Sequence, residues 1–352
     1  MILPTTASTV WILAIVALFC LGSWATTLKL AGNWRFEYFY CDFVLGLLLT
    51  VGIAALLLGS ARPQELTLQD NILLAGYRKM AWALGSGVVL NLGTLLLLAA
   101  MALSGMSVAF PLTLGVALAI GALWDFAYAE RASAALTMGG VALLLAGAIV
   151  IAFAHVWRQS DKQEAAQTAL RADPRLKARR KSPGGALAII LSVCGGIVLS
   201  LFFRILAEST SGENGLAAYS ALLFVAVSAL VSAPFFVLFF STFPVVGSAG
   251  SFRGYTSGDK KQHFLGLTGG ILWGVGMLSS LLAAAAPLEA QPGTLIQYPL
   301  RHGAVLLAAA WGLLAWGEFR GTSERVKMMV VGMLVLFLGG LGMVAMAFSA
   351  TK

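Results

Sequence analysis

The sequence predicts an all-α membrane protein of ten transmembrane helices arranged as two inverted five-helix repeats. Three observations predict it: the composition, the spacing of the apolar runs, and a similarity between the two halves of the chain. Hydrophobic residues make up 59% of the 352, charged residues only 11%, and mean hydropathy is +0.88. A water-soluble globule carries about 25% charged residues, so the partner this surface needs is a lipid bilayer.

One crossing of the bilayer core takes about 20 apolar residues. Runs of that length occupy residues 11–28, 39–58, 80–101, 106–124, 133–154, 186–206, 216–240, 264–286, 295–316 and 327–349, separated by polar or Gly/Pro breaks. The first run, with "SWA" near its end, has the look of a secretory signal. No Lys or Arg precedes it, however, and nine more runs follow, so it reads as a span. The polar stretch "HVWRQSDKQEAAQTALRADPRLKARRKSPGG" divides the chain into a first repeat (1–155), a basic linker (156–184) and a second repeat (185–352), and its middle is expected to form a short surface helix ended by Pro174.

Placing that linker in the cytoplasm gathers sixteen of the 23 Lys and Arg residues on its side and leaves seven on the other. Both termini are therefore expected outside the cytoplasm, in a multi-pass protein of the cell membrane. Basic loops beside anionic lipid account for the net charge of +8. Nucleic-acid binding would need an exposed basic domain, and none is expected.

The halves repeat each other in order. "LAIVALFCLG" (13–22) lies over "LAIILSVCGG" (187–196), "GVVLNLG" (87–93) over "GILWGVG" (270–276), and "FPLTLGVAL" (110–118) over "YPLRHGAVL" (298–306). "YAE" (128–130) and "WGE" (316–318) close the same pair of spans. A unit of five spans is odd, so the second copy sits upside down relative to the first. Such inverted repeats bind their solute near the midplane, and interrupted spans in matching positions point to the site. Pro111 and Pro299 are expected to be such a pair of breaks.

Candidate site residues are the polar groups inside this greasy frame. The stretch "GSWATTLKLAGNWRFEYFYCDFVLG" (22–46) crowds Lys29, Arg35, Glu37 and Asp42 among aromatics. Trp34, Phe36, Tyr38, Phe39 and Tyr40 could form an interfacial belt, with Asp42 favouring the positive end of a helix. Alternatively, Asp42 or Glu37 faces the bundle interior and holds a coupling proton or cation, as intramembrane acids do. Asn91 either bridges helices or lines a cavity, and Trp273 either packs in the core or walls the pocket. Tyr298, Arg301 and His302 follow or flank Pro299 and are candidates for solute contact, with a snorkelling Arg301 as the plainer alternative. Asp125 and Glu318 are expected at span ends, and Arg204 and Glu208, four apart, are expected to pair. Cys20, Cys41 and Cys194 lack metal or disulfide spacing and read as small core residues. The glycine pairs 139/140 and 339/340 allow close helix packing, within the chain or in a homodimer.

"GSWATTLK", "WRFEYFYCDF", "FRGYTSGDKKQHFLGLTGGILWGVG" and "GAVLLAAAWGLLAWGEFRG" resemble the ureide permeases and their bacterial relatives. That group is similar in turn to the glucose/ribose porters and rhamnose symporters of the drug/metabolite transporter superfamily. The resemblance covers nearly all ten spans. It implies a five-plus-five helix fold and proton-coupled or cation-coupled movement of a small polar solute such as a ureide, a nucleobase or a sugar. It also implies that spans 1–4 and 6–9 surround the cavity while spans 5 and 10 are peripheral. Two departures stand out. The central loop shows no GxxxxGK[ST] phosphate loop, and "QYPLRHG" (297–303) is more charged than such a stretch usually is, so Arg301 would suit an anionic or carbonyl-rich solute.

The function expected is a secondary transporter working by alternating access, with no cofactor and no metal. An exporter of the same fold is the nearest alternative. A membrane-embedded enzyme would need a base and a nucleophile, but the three histidines, His155, His263 and His302, stand in no HExxH or HxxxxD arrangement. A channel would fail to show counterflow.

Overall fold

The computed structural model describes residues 1–61, 66–129, 132–172 and 184–349. The linker residues Pro174, Arg175, Lys177, Arg179, Arg180 and Lys181, together with Arg62, Glu130, Arg131 and Lys352, lie outside that range. Among the described residues the secondary structure is helical throughout: α1 (Ala7–Ser23), α2 (Thr26–Leu30), α3 (Phe36–Leu57), α4 (Leu68–Leu74), α5 (Tyr77–Ser104), α6 (Met106–Tyr128), α7 (Ala134–Ala172), α8 (Gly184–Thr210), α9 (Ala218–Thr242), α10 (Phe252–Thr256), α11 (Lys260–Ala284), α12 (Thr294–His302), α13 (Ala304–Ala310) and α14 (Glu324–Ser349), with a π-helical turn at Trp311–Ala315.

Eight of these are long and apolar enough to cross a bilayer, and two shorter apolar segments, Ala7–Ser23 and Ala304–Ala315, stand where the first and ninth spans are expected. The caps explain several boundaries. Thr67 and Asp70 form a capping box at α4, and Asp259 and Gln262 form one at α11, so two orphan amides are satisfied reciprocally at each start. Gly105 alone separates α5 from α6, at φ 91°, a left-handed conformation that lets the chain reverse between two spans within a single residue.

Three features differ from expectation. The fifth span does not end at the linker; α7 continues to Ala172, because 155–172 is rich in Ala and Gln that propagate a helix. Pro111 leaves α6 unbroken, as buried helices that pack around a proline often are. Pro299 likewise sits inside α12, and the ninth span is interrupted at Gly303 and again by the π turn.

Packing follows a regular scheme. α5 packs on α8 and α9, while α11 packs on α1 and α3; α6 packs on α7 and α8, while the α12–α13 span packs on α14 and α1. α3 against α9, α6 against α13 and α7 against α14 complete the bundle. Exchanging the first five spans for the last five carries these pairings onto themselves. The Gly140–Gly340 approach serves α7 against α14 within the chain: a Cβ on either glycine would lie 3.0 Å from the other's carbonyl oxygen.

The bundle has two distinguishable ends. Met1 donates from its amino group to the Leu66 carbonyl, and Ser133 donates to Ala347, so the two chain termini share one end. Gly185 lies against Gln159, which places the start of α8 at the other, the linker end.

Candidate functional site

At the linker end, the N-terminal halves of α3 and α11 come together, in their second and third turns, because neither carries bulk at the contact. A Cβ on Gly270 would stand 1.9 Å from the Phe43 carbonyl oxygen, one on Gly46 2.1 Å from that of Leu267, and one on Gly266 2.5 Å from the Asp42 Cβ. This near backbone contact explains the glycines of "GLTGG". It also seats Asp42 against the start of α11.

Asp42 is buried, 3% exposed, and both of its oxygens are engaged. The Tyr255 hydroxyl of α10 donates to Oδ1 at 2.7 Å, and His263 Nδ1 of α11 lies 2.9 Å from Oδ2. The carboxylate is seven residues into α3, past the free amides of the first turn, so the helix dipole is not what holds it. Tyr255 stands outside the spans, and burial, followed by the hydrogen bond to Asp42, pushes its hydroxyl pKa up. Trp34 meets the His263 ring edge-on at 5.2 Å, and Tyr38 both donates to and accepts from the Ser251 backbone, at 2.9 and 2.8 Å, fixing the segment that carries α10. The buried Trp34 Nε1 has no hydrogen-bond partner among the described residues.

The aromatics of this stretch are not an interfacial belt. Trp34, Phe36, Tyr38, Phe39 and Tyr40 are 0% to 9% exposed and pack inside the protein. Glu37 is buried five residues before Asp42 and is bound by Arg35 at 2.8 Å, and that bond, foremost, raises the guanidinium pKa at the helix start.

The centre of the bundle is filled. Phe43 stacks on Tyr40 at 5.3 Å and meets Trp24 at 5.1 Å and Trp273 at 6.3 Å; Trp273 also meets Phe202 at 6.1 Å. Asn91, fully buried, accepts from the Tyr40 hydroxyl at 2.7 Å and donates to the Ala229 carbonyl at 2.9 Å and to Ser232 at 2.7 Å. It therefore ties α3, α5 and α9 together with its amide satisfied, and Trp273 is a packing residue in this state.

A second seal at the linker end was not visible in the sequence. Glu318, in the turn after the π-helical segment, accepts from Lys29 of α2 at 2.7 Å and from the Met106 and Ser107 amides at 2.9 and 2.8 Å, capping α6. Burial would raise its pKa, but Lys29 and the two amides outweigh burial and hold it below the usual carboxylate range. Arg158 of α7 closes the seal, donating to the Glu318 carbonyl at 3.1 Å and to the Ser104 carbonyl at 2.7 Å.

At the opposite end, a cavity of about 360 Å³ lies between α6, α8, α12 and α14. Tyr298, Arg301 and His302 line it with Trp124, Asp125 and Arg204. The His302 and Tyr298 rings are 4.4 Å apart. Arg204 pairs with Glu208 and lies 4.0 Å over the Tyr128 ring. Arg301 makes no hydrogen bond or ion pair among the described residues, so its guanidinium is available.

The sequence-selected residues thus fall in three places. Asp42 and Glu37 are at the linker end, Asn91 and Trp273 are in the packed middle, and Tyr298, Arg301 and His302 are together in the cavity at the termini end. The partners His263 and Tyr255 were missed because they lie 221 and 213 residues from Asp42 in sequence.

Residues 44–347 match the model of the family described as sugar transport protein. Ureide permease 1 of Arabidopsis thaliana is 23% identical over 370 residues, covering 92% of this chain and 93% of that protein. Ureide permease 2 of the same plant is 22% identical over 392 residues, with 96% of each chain covered. A solved crystal structure superposes over 99% of this chain and 100% of its own with a TM-score of 0.52 at 15% identity, a likeness that shows the fold alone.

Proposed function

Because the chain belongs to the sugar transport protein family, we propose that this membrane transporter carries a small polar solute of the ureide, nucleobase or sugar type across the cell membrane, coupled at Asp42 to a proton or another cation. The observation that carries the coupling is a buried carboxylate within a span, bonded on one oxygen by Tyr255 and on the other by His263. Intramembrane acids are costly and mark ion and proton paths.

The mechanism is alternating access between two inverted repeats, a reading supported by helix pairings that survive exchange of the halves. The linker end faces the cytoplasm on the Lys/Arg asymmetry, and both termini face outward. In the state described, the cytoplasmic end is shut by Lys29, Glu318 and Arg158, and the solute enters at the outer cavity, where Arg301, His302, Tyr298 and Asp125 supply polar contacts beside Arg204 and the aromatic rings of Trp124, Tyr128 and Phe348. Asn91 and Trp273 belong to the packed partition beneath it.

The test has two stages. A thermal-shift screen of purified protein against ureides, nucleobases, pentoses and hexoses identifies the solute, since a ligand that prefers the folded state raises apparent stability. That compound, radiolabelled, is then followed in proteoliposomes. Asp42→Asn should lose accumulation driven by a pH gradient and keep exchange of solute across the membrane. Accumulation with unchanged gradient dependence in this variant removes Asp42 from the mechanism.

A further inference from the structure

The polar centre at the linker end contains two titratable partners, and the geometry distinguishes their roles. An ionised carboxylate only accepts hydrogen bonds. Both Asp42 oxygens have a partner: the Tyr255 O–H donates to Oδ1, and His263 Nδ1 donates to Oδ2 when the ring carries its proton there, the tautomer that an ionised carboxylate selects. The His263 ring therefore spends Nδ1 on Asp42 and keeps Nε2 free. No hydrogen bond to Nε2 is present among the described residues.

Access follows the same division. The His263 side chain is 28% exposed and that of Asp42 5%, so a proton arriving from water meets the imidazole first. Glycine at 258 leaves room beside Nε2: a Cβ there would stand 2.9 Å from Nε2 and 2.1 Å from the Trp34 ring.

We infer that the imidazole of His263 is the group that takes up and releases the proton at this centre, through Nε2, with Asp42 as its fixed counter-charge and Tyr255 as the clamp that holds the carboxylate. This rests on the coupling reading above and names the atom that performs it. Uptake converts neutral imidazole to imidazolium with no other bond broken, and the new charge lies beside the Asp42 carboxylate. In the loaded state the pair is neutral overall, a cheaper burden to carry through a conformational change than a lone carboxylate in low dielectric.

The other charges nearby are accounted for. Among the described residues, Asp42, Cys41 and Tyr38 on α3 and Tyr255 on α10 are the titratable groups at this centre, and Arg253 on α10 is exposed. Lys29 on α2 is bound by Glu318, and Arg35 by Glu37. α1 and α9 contain no charged residue, and on α11 Lys260 and Lys261 are exposed at its first turn, where Asp259 caps the helix.

Three histidines in the whole chain make the test direct. Full-length protein labelled with 15N in the imidazole and 13C in the aspartate carboxyl is placed in lipid nanodiscs and titrated, the His263 signals being identified by their loss in His263→Gln. The expected result is an Nδ1 that stays protonated, an Nε2 that gains its proton on acidification, and an Asp42 carboxyl that stays ionised while it does so. In Asp42→Asn the His263 step should move to lower pH, because an opposite charge beside the imidazolium has been removed. An Asp42 carboxyl that titrates while His263 does not, or a His263 step unmoved in Asp42→Asn, overturns the inference. Wild-type uptake indifferent to pH would instead overturn the coupling reading and leave the titration standing, so the two failures are separable.

Discussion

The two ends of the bundle treat their charges in opposite ways. At the linker end the buried carboxylates among the described residues are each held: Asp42 takes Tyr255 and His263, Glu37 takes Arg35, and Glu318 takes Lys29 and two backbone amides. At the termini end Arg301 and Asp125 line a cavity of about 360 Å³ with no direct bond between them. Satisfied charges rigidify a closed end, because breaking any of them exposes an unpaired group. Unsatisfied charges facing a cavity are instead disposed to receive a solute. One small set of polar residues thus locks one face, and a different set leaves the other receptive.

The largest effect should come from breaking the closed end. Glu318→Gln removes the charge that holds Lys29 and caps α6, and it should cost about 3 kcal/mol, toward the lower figure for losing one partner of a buried pair because Lys29 is partly exposed. Thermal unfolding in detergent measures it. Since the Glu318 pKa is held down in the folded protein, its contribution is present above the ordinary carboxylate range and is lost as pH falls through the depressed folded value. The gap between wild type and Glu318→Gln should accordingly narrow in acid.

The next effect tests the close approach that seats Asp42. Gly270→Ala would drive a methyl group into the Phe43 backbone and should destabilise by about 1–3 kcal/mol. At the termini end, Arg301→Ala should leave stability within about 0.5 kcal/mol and weaken binding of the identified solute about tenfold, the loss of one charge-assisted hydrogen bond. Equilibrium binding measures the second figure. The smallest effect is the control: Gly52 on α3 meets nothing within 4 Å, so Gly52→Ala should leave the unfolding temperature unchanged or slightly raised.

Much of the fold was legible because the bilayer imposes length and apolarity on each span, and both are sequence properties. Asp42 was legible for the same reason, as a charge placed where charges are expensive. Its surroundings were not. The ring of Trp34, Tyr38 and Tyr40 suits an interfacial belt and a packed core equally in composition, and only the backbone contact at Gly266 and Gly270 turns it inward. The glycine-rich stretch around "QHFLGLTGG" drew attention as a resemblance, yet pairing His263 with Asp42 requires knowing that α11 lies on α3. Glu318 looked like an interfacial acid because its partners are backbone amides at the head of α6, and those leave no mark in a sequence. Asn91 stood between two readings until Tyr40, Ala229 and Ser232 took up its whole amide.

The central claim is that the closed end houses the coupling site, and accumulation of the identified solute in proteoliposomes under an imposed pH gradient tests it most directly. Asp42→Asn should equilibrate solute without concentrating it, while Arg301→Ala should still concentrate it at higher solute levels. Concentrative uptake by Asp42→Asn that tracks the gradient as the wild type does would contradict the account.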